Sequence, residues 1–208
     1  MQYAQARATQ FAPCCGGGEN RRMRIIAGRF RGRKLLSPRG LATRPITDRV
    51  KQSLFDILAP LLPGARVYDC FCGTGSLGLE CLSRGAAFAS FFEADQSAVE
   101  LLNRNIVSLD AEKQSRVVWG DVFGWFSAAP PPERPIDVVF LDPPYRFLRE
   151  RADEMRELAG ALAARHLAPA GSIVLRHDAE DHLEFAELKR CDRRDYGRMT
   201  IEFFRRRD

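Results

Sequence analysis

Apolar residues in this chain fall into two kinds of run, and from residue 66 onward the two kinds alternate. Short, nearly unbroken runs read as buried strands: Arg66–Cys70, Phe88–Phe92, Arg116–Trp119, Ile136–Leu141 and Ser172–Arg176. Between them, apolar residues recur at three- and four-residue spacing, the mark of helices. These segments are Ser76–Arg84, closed by Gly85, then Gln96–Leu109, a short helix near Val122–Phe126, and a long one over Arg149–His166. Pro130-Pro131-Pro132 reads as a loop. Two further strand-like runs, Glu187–Arg190 and Met199–Phe204, flank a charged segment, Asp192–Gly197, that reads as a turn. No helix separates them, so they are expected to pair as a hairpin. Strand–helix alternation predicts an α/β fold. The expectation is a doubly wound, mostly parallel seven-stranded sheet with a C-terminal antiparallel hairpin.

Upstream of residue 66 the pattern differs. Thr47 can cap a helix, with Asp48 in its first turn and Val50, Leu54, Ile57 and Leu58 on one apolar face. Pro60 and Pro63-Gly64 end it. Residues 23–45 are basic and glycine-punctuated. Arg24–Gly28 and Lys34–Leu36 can form a small hairpin around Arg29–Arg33. Residues 1–22 show no periodicity and little to bury. They read either as a disordered tail or as the product of an upstream start codon, since Met23 makes a natural beginning. The expected division is therefore 1–22 extension, 23–45 basic arm, and 46–208 catalytic-type α/β domain.

Composition narrows the class. At 208 residues with 45% hydrophobic and 28% charged content, the chain suits one ordinary globular domain. No apolar run approaches the roughly 20 residues of a membrane helix, and Met1–Asn20 lacks the apolar core of a secretory signal. A cytoplasmic protein without a membrane partner is expected. The cysteines, at 14, 15, 70, 72, 81 and 191, fit no zinc spacing. They read as reduced, mostly buried residues, and no metal is expected. Charge is lopsided: residues 1–50 carry 11 Lys and Arg against 2 acidic residues, a net +9, while the whole chain is +5. The remainder is thus −4. A basic arm on a mildly acidic body suggests a polyanion docked at one end.

Candidate chemistry sits where strands stop. Asp142-Pro143-Pro144-Tyr145 follows the apolar run Val138–Leu141. Proline donates no ladder hydrogen bond, so the strand ends here. In an open α/β sheet that edge is where ligands bind. A carboxylate, rigid carbonyls and an aromatic ring suit a flat substrate carrying an amine. By itself the tetrapeptide is equally consistent with an Asp-Pro turn and a surface tyrosine.

A glycine loop, Asp69-Cys70-Phe71-Cys72-Gly73-Thr74-Gly75-Ser76-Leu77-Gly78, joins the first parallel strand to its helix. Gly73, Gly75 and Gly78 satisfy the dinucleotide pattern, with Glu93 near the position of a ribose-binding acid. Two features favour S-adenosylmethionine over a dinucleotide. Asp69 beside the loop suits a cationic ligand and repels a pyrophosphate. Acidic residues also recur at successive strand ends: Glu93, Asp121 and Asp142. Individually, Asp69 could be a turn cap, and Glu93 and Asp121 solvated carboxylates.

At these residues the chain resembles class I S-adenosylmethionine-dependent methyltransferases. More narrowly, it is similar to the bacterial 16S rRNA (guanine(966)-N(2))-methyltransferase family. The resemblance covers about residues 23–205. It is carried by Arg24–Lys34, by Thr43–Val50, and by Asp69–Glu80 together with Asp142–Tyr145. Residue 46 is Ile where the family pattern suggests Thr. The resemblance implies S-adenosylmethionine as cofactor, held by Asp69, Gly73, Gly75, Leu77, Glu93, Asp121 and Val122. Asp69 would face the cofactor ammonium, and Glu93, in preference to Asp95, would accept both ribose hydroxyls. Asp121 would accept the adenine amine, with the Val122 N–H on a ring nitrogen. Asp142, Pro143, Pro144 and Tyr145 would orient a guanine N2 amine for methyl transfer. Arg24, Arg29, Arg31, Arg33, Lys34, Arg44 and Arg49 would contact RNA; Arg44 and Thr47 could also reach the cofactor carboxylate. The implied partner is 16S rRNA, either naked or within an assembling 30S subunit, and the implied state is a monomer. Rival readings are an adenine-N6 methyltransferase, a non-catalytic nucleotide-binding module, and an RNA chaperone working through the arm alone.

Overall fold

The computed structural model describes residues 23–37 and 46–207. The extension 1–22 lies outside the described residues, as do 38–45, Arg44 included. Seven strands form one sheet: β1 Arg66–Cys70, β2 Phe88–Glu93, β3 Ser115–Trp119, β4 Ile136–Leu141, β5 Leu167–Asp178, β6 Leu188–Tyr196 and β7 Met199–Arg206. Their spatial order is β3-β2-β1-β4-β5-β7-β6. β1 to β5 are parallel, and β7 runs antiparallel between β5 and β6. The strand order reverses between β1 and β4, which places a ligand crevice at their carboxyl ends.

Helices cover both faces: α1 Asp48–Leu58, α2 Ser76–Ser83, α3 Gln96–Ser108, α4 Val122–Ala128, α5 Phe147–Glu150 and α6 Ala152–Arg165. Because strand side chains alternate, neighbouring residues feed opposite cores. Phe91 and Phe140 pack with Leu54, Phe55, Leu79 and Leu102 from α1, α2 and α3. Phe92 and Val139 pack with Phe126, Met155, Leu158 and Leu162 from α4 and α6.

The basic segment is pinned to α2. Arg24 and Lys34 form a single antiparallel bridge. Buried Glu80 of α2 accepts the Ile26 and Ala27 N–H groups at 2.8 and 3.0 Å. The same carboxylate meets Lys51 Nζ of α1 at 3.0 Å and Arg84 Nε at 2.8 Å. Lys51 also donates to the Arg24 carbonyl and to Ser76 Oγ, each at 3.1 Å. Farther along α2, Ser83 accepts the Phe30 N–H and bonds the Ala27 carbonyl.

Three elements differ from the sequence expectation. The helix expected over 149–166 is two, because Arg151 leaves helical geometry at φ −130° and ψ 36°. Its guanidinium stacks over Phe123 at 4.1 Å and Phe147 at 5.0 Å. β5 begins five residues early, at Leu167, across a register shift opposite Ile136 and Val138. Such an irregularity accommodates Pro169 and Gly171, which read as strand breakers. The charged segment expected as a turn is mostly strand. β6 continues through Asp192–Tyr196 and pairs with β7 on both sides of a register shift between Arg190 and Asp192. It is the sheet edge, so it needs no apolar alternation.

Candidate active site

β4 stops at Leu141, and the Asp142 N–H makes a last cross-strand bond to the Cys70 carbonyl at 3.3 Å. Pro143 is buried, while Pro144 and Tyr145 are half-buried. The Pro144 carbonyl accepts the Phe147 N–H at 2.8 Å, so the tetrapeptide turns directly into α5. Leu141 pairs with Leu175 in the parallel register, which sets Asp142 level with Arg176. Arg176 Nε donates to Asp142 Oδ1 at 2.6 Å, with side-chain exposures of only 11% and 18%. Burial works against the Arg176 charge. Asp142 outweighs it, aided by Tyr145 and Asp69, and the guanidinium is pushed above its ordinary range. Arg176 also lies 6.0 Å from the centre of the Tyr145 ring.

The glycine loop lies beside this turn, at the end of β1. Asp69 is buried and its Oδ2 accepts the Gly78 N–H at 2.8 Å, in the first turn of α2. Asp69 thus satisfies a first-turn N–H of α2. Its other oxygen, Oδ1, is buried with no hydrogen-bond partner among the described residues. Burial, reinforced by Asp142 and Glu93 nearby, pushes the Asp69 carboxyl up to about 8, against the bond from Gly78. Gly73 has φ +54°, and a side chain there would meet nothing within 4 Å, so the surface over it is open. Gly75 is the N-cap of α2 in a left-handed conformation, directly over Leu102. Leu77 is buried in the same turn.

Glu93 ends β2 and braces the loop. Its Oε2 accepts the Gly73 N–H at 2.7 Å, and its Oε1 accepts the Ala94 and Asp95 N–H groups at 2.9 Å. Asp95 instead caps α3 through Ser97 and Ala98. Asp121 is exposed and caps α4, accepting from Phe123 and Gly124 at 3.4 Å, and Val122 is buried behind it. The structure therefore gathers Asp69, Gly73, Gly75, Leu77, Glu93 and Asp142–Tyr145 around the ends of β1, β2 and β4. Asp121 and Val122 stand beyond β3, after its last residue.

The basic residues are arranged differently. Arg24, Arg29, Arg31, Arg33, Lys34 and Arg49 are exposed. Arg24 pairs with Asp48 at 2.7 Å. The tip residues Arg29 and Arg33 lean onto Gln114 and the Ser108 carbonyl. The hairpin ends sit by the glycine loop: Asn105 bridges the Leu36 and Thr74 carbonyls at 3.1 and 3.0 Å. Its tip, at Gly28–Phe30, sits by Ser83, one helix length away, or roughly 10 Å for eight residues.

Several groups escaped the sequence reading. Arg176 ends an apolar run, and nothing in its spacing points to Asp142. Phe71 holds a left-handed φ of 60°, a conformation that costs a non-glycine residue energy. Its ring packs on Phe123 and Phe147 at 5.6 and 6.0 Å, forming an aromatic wall over the ends of β1 and β4. Below Asp142 and Arg176 lies a cavity of about 10 Å³, lined by Leu54, Leu77, Phe140, Val174 and Ile201. That is room for about one water and too small for a flat aromatic ligand. Cys70 and Cys81 are buried free thiols, and burial pushes both well up, as it does Cys72. Among the described residues no His, Cys, Asp and Glu cluster is arranged to hold a metal ion, and no helix is long and apolar enough to cross a membrane.

The family profile for conserved hypothetical protein 95 matches residues 23–205. The chain belongs to that family. YlbH of Bacillus subtilis (strain 168), a putative rRNA methyltransferase, is 33% identical over 192 residues, covering 89% of this chain and all of that one. Ribosomal RNA small subunit methyltransferase D of Escherichia coli (strain K12) is 43% identical over 124 residues, covering 60% of this chain and 61% of that one. The solved structure of yhhF from Escherichia coli superposes with a TM-score of 0.76 at 35% identity, over 89% of this chain and 98% of that one. The fold is thus a Rossmann-like methyltransferase fold, and the chain is a methyltransferase.

Proposed function

We propose that this chain transfers the methyl group of S-adenosylmethionine to the exocyclic N2 amine of a guanine in small-subunit ribosomal RNA. The observation that carries the reading is the placement of Asp142-Pro143-Pro144-Tyr145 beside the glycine loop, at the reversal of strand order. The named activity of the 43% identical Escherichia coli relative supports the RNA substrate.

The residues fit the cofactor. The open surface over Gly73 admits a close backbone approach. The orphaned Asp69 Oδ1 offers a buried acceptor to an ammonium group. Three backbone N–H groups occupy Glu93, which leaves about one acceptor site, on Oε2, for a ribose hydroxyl. Asp121 and Val122, at the start of α4, would receive the adenine ring. When bound, S-adenosylmethionine supplies an electrophilic methyl group on a sulfonium.

The chain's own contribution is positioning. A guanine amine is a poor nucleophile because its lone pair is delocalised into the ring. Asp142 and the Pro143 carbonyl would accept its two N–H bonds and favour a pyramidal nitrogen. Tyr145 would stack on the base, a contact worth about 1–3 kcal/mol. The base must leave its stack to reach this edge. Fixing two reactants in this way can account for a large part of a barrier. The exposed Arg24, Arg29, Arg31, Arg33, Lys34 and Arg49 would hold phosphates, as would Arg44 by its sequence context. RNA held along the hairpin would run beside α2, on which the hairpin packs.

The test is mass spectrometry of 16S rRNA from cells lacking this chain. Loss of one N2-methylguanosine is expected. Loss of an N6-methyladenosine would move the assignment to the other amine, and an unchanged set of marks would refute the RNA reading. Calorimetry with S-adenosylhomocysteine and with NAD separately tests the cofactor, with binding of the first alone expected.

A further inference from the structure

We infer that Arg176 is the positioning residue for Asp142: its guanidinium locks the carboxylate and presents the remaining oxygen to the target amine. This rests on the reading of Asp142 as the group that accepts the amine N–H.

Three features carry it. The β4–β5 register sets the two residues level at the reactive edge. The Nε–Oδ1 bond of 2.6 Å is a short charge-assisted contact between two largely covered side chains, and it holds the Asp142 rotamer. The protonation state also matters. Ionised, a carboxylate is an acceptor only; protonated, it carries a donor that would oppose the amine N–H.

Asp142 and Glu93 both lie close enough to Asp69 to push its carboxyl up. Arg176 of β5 meets Asp142 at 2.6 Å and lies 6.0 Å from the centre of the Tyr145 ring. Lys51 of α1 is held by Glu80. Arg176 is thus the cation paired with Asp142 at this edge. Holding one oxygen also leaves the other for the edge where the aromatic wall and Tyr145 would seat a base.

The experiment uses the full chain with S-adenosylmethionine and 16S rRNA, and compares Arg176→Gln, Arg176→Lys and Asp142→Ala. Arg176→Gln should lower kcat about 100-fold, the scale of a small misplacement in a positioned reaction. KM for RNA, affinity for S-adenosylhomocysteine and the melting temperature should stay near their starting values. A loss in kcat without a rise in KM is the split expected of a misplaced acceptor rather than of lost binding. Arg176→Lys should restore part of the rate. An Arg176→Gln protein with unchanged kcat, beside an inactive Asp142→Ala, overturns the inference alone. An active Asp142→Ala protein overturns the reading of Asp142 and the inference with it. A rate loss that tracks a lowered melting temperature, with no rescue by Arg176→Lys, also overturns it.

Discussion

Lys51 on α1 and Glu80 on α2 form a 3.0 Å ion pair with both side chains buried. Glu80 also receives two backbone N–H groups of the basic hairpin and Arg84. Removing one partner of a buried pair strands the other charge. Glu80→Ala should therefore cost about 3–5 kcal/mol. Lys51→Met with Glu80→Leu should recover part of this, because no lone charge remains at Lys51. The Ile26 and Ala27 N–H groups would still lack acceptors, so a deficit of about 1–3 kcal/mol should persist. Chemical denaturation of the three proteins checks the ordering.

Asp142→Ala should abolish turnover while S-adenosylhomocysteine binding survives, since the residues proposed to hold the cofactor lie on β1, the glycine loop, β2 and the start of α4. Tyr145→Ala should weaken productive RNA binding by about 1–3 kcal/mol if stacking is its role. Single-turnover kinetics with calorimetry on the same samples separates the two effects.

Asp69 gives a pH prediction. Its folded value of about 8 lies far above the ordinary 3.8 of a carboxyl. Between those values the unfolded chain is ionised at this residue while the folded chain keeps its proton. The folded state therefore binds more protons, and stability falls as pH rises across that window. Asp69→Asn removes this dependence while keeping an oxygen for the Gly78 N–H. Its melting temperature should gain on the original protein as pH rises through that window. Cofactor binding should release a proton near neutral pH, because an ammonium beside Asp69 favours its anion. Calorimetry in buffers of different ionisation enthalpy measures that proton, and buffer-independent heats would refute it.

The hairpin can be tested through Gly28. Its φ is +80°, and an added side-chain carbon would lie 1.8 Å from the Ser83 carbonyl oxygen. Gly28→Ala should lift the tip from α2 and lower RNA affinity without touching a charge. Arg31→Glu should lower it electrostatically instead. Removing one phosphate-binding cation should reduce the log–log salt slope by roughly 0.7 for single-stranded RNA. Filter binding across a salt series distinguishes the two variants.

Much of the layout could be read from residue order, because buried parallel strands announce themselves as apolar runs and glycine loops fall between strand and helix. The positions of Asp142, Glu93 and the glycine loop at the carboxyl ends of strands were legible for the same reason. The pairing of Arg176 with Asp142 was hidden, since it depends on a β4–β5 register that sequence spacing does not encode. Glu80 and Lys51 were hidden likewise, as charges on helices otherwise read as solvated faces. The start of β5 and the extent of β6 escaped because a bulge tolerates Pro169 and Gly171, and an edge strand tolerates charge on both faces.

That last property of β6 has its own consequence for how copies of the protein meet. The strand offers an open row of backbone donors and acceptors, which is a template for another chain. Along it stand Lys189, Arg190, Asp192, Arg193 and Arg194, several of them tied into local ion pairs. A second copy laid edge to edge would bring like charges together and strip water from guanidinium groups. The charges that concealed this strand from the sequence reading thus work as a barrier to sheet-to-sheet aggregation.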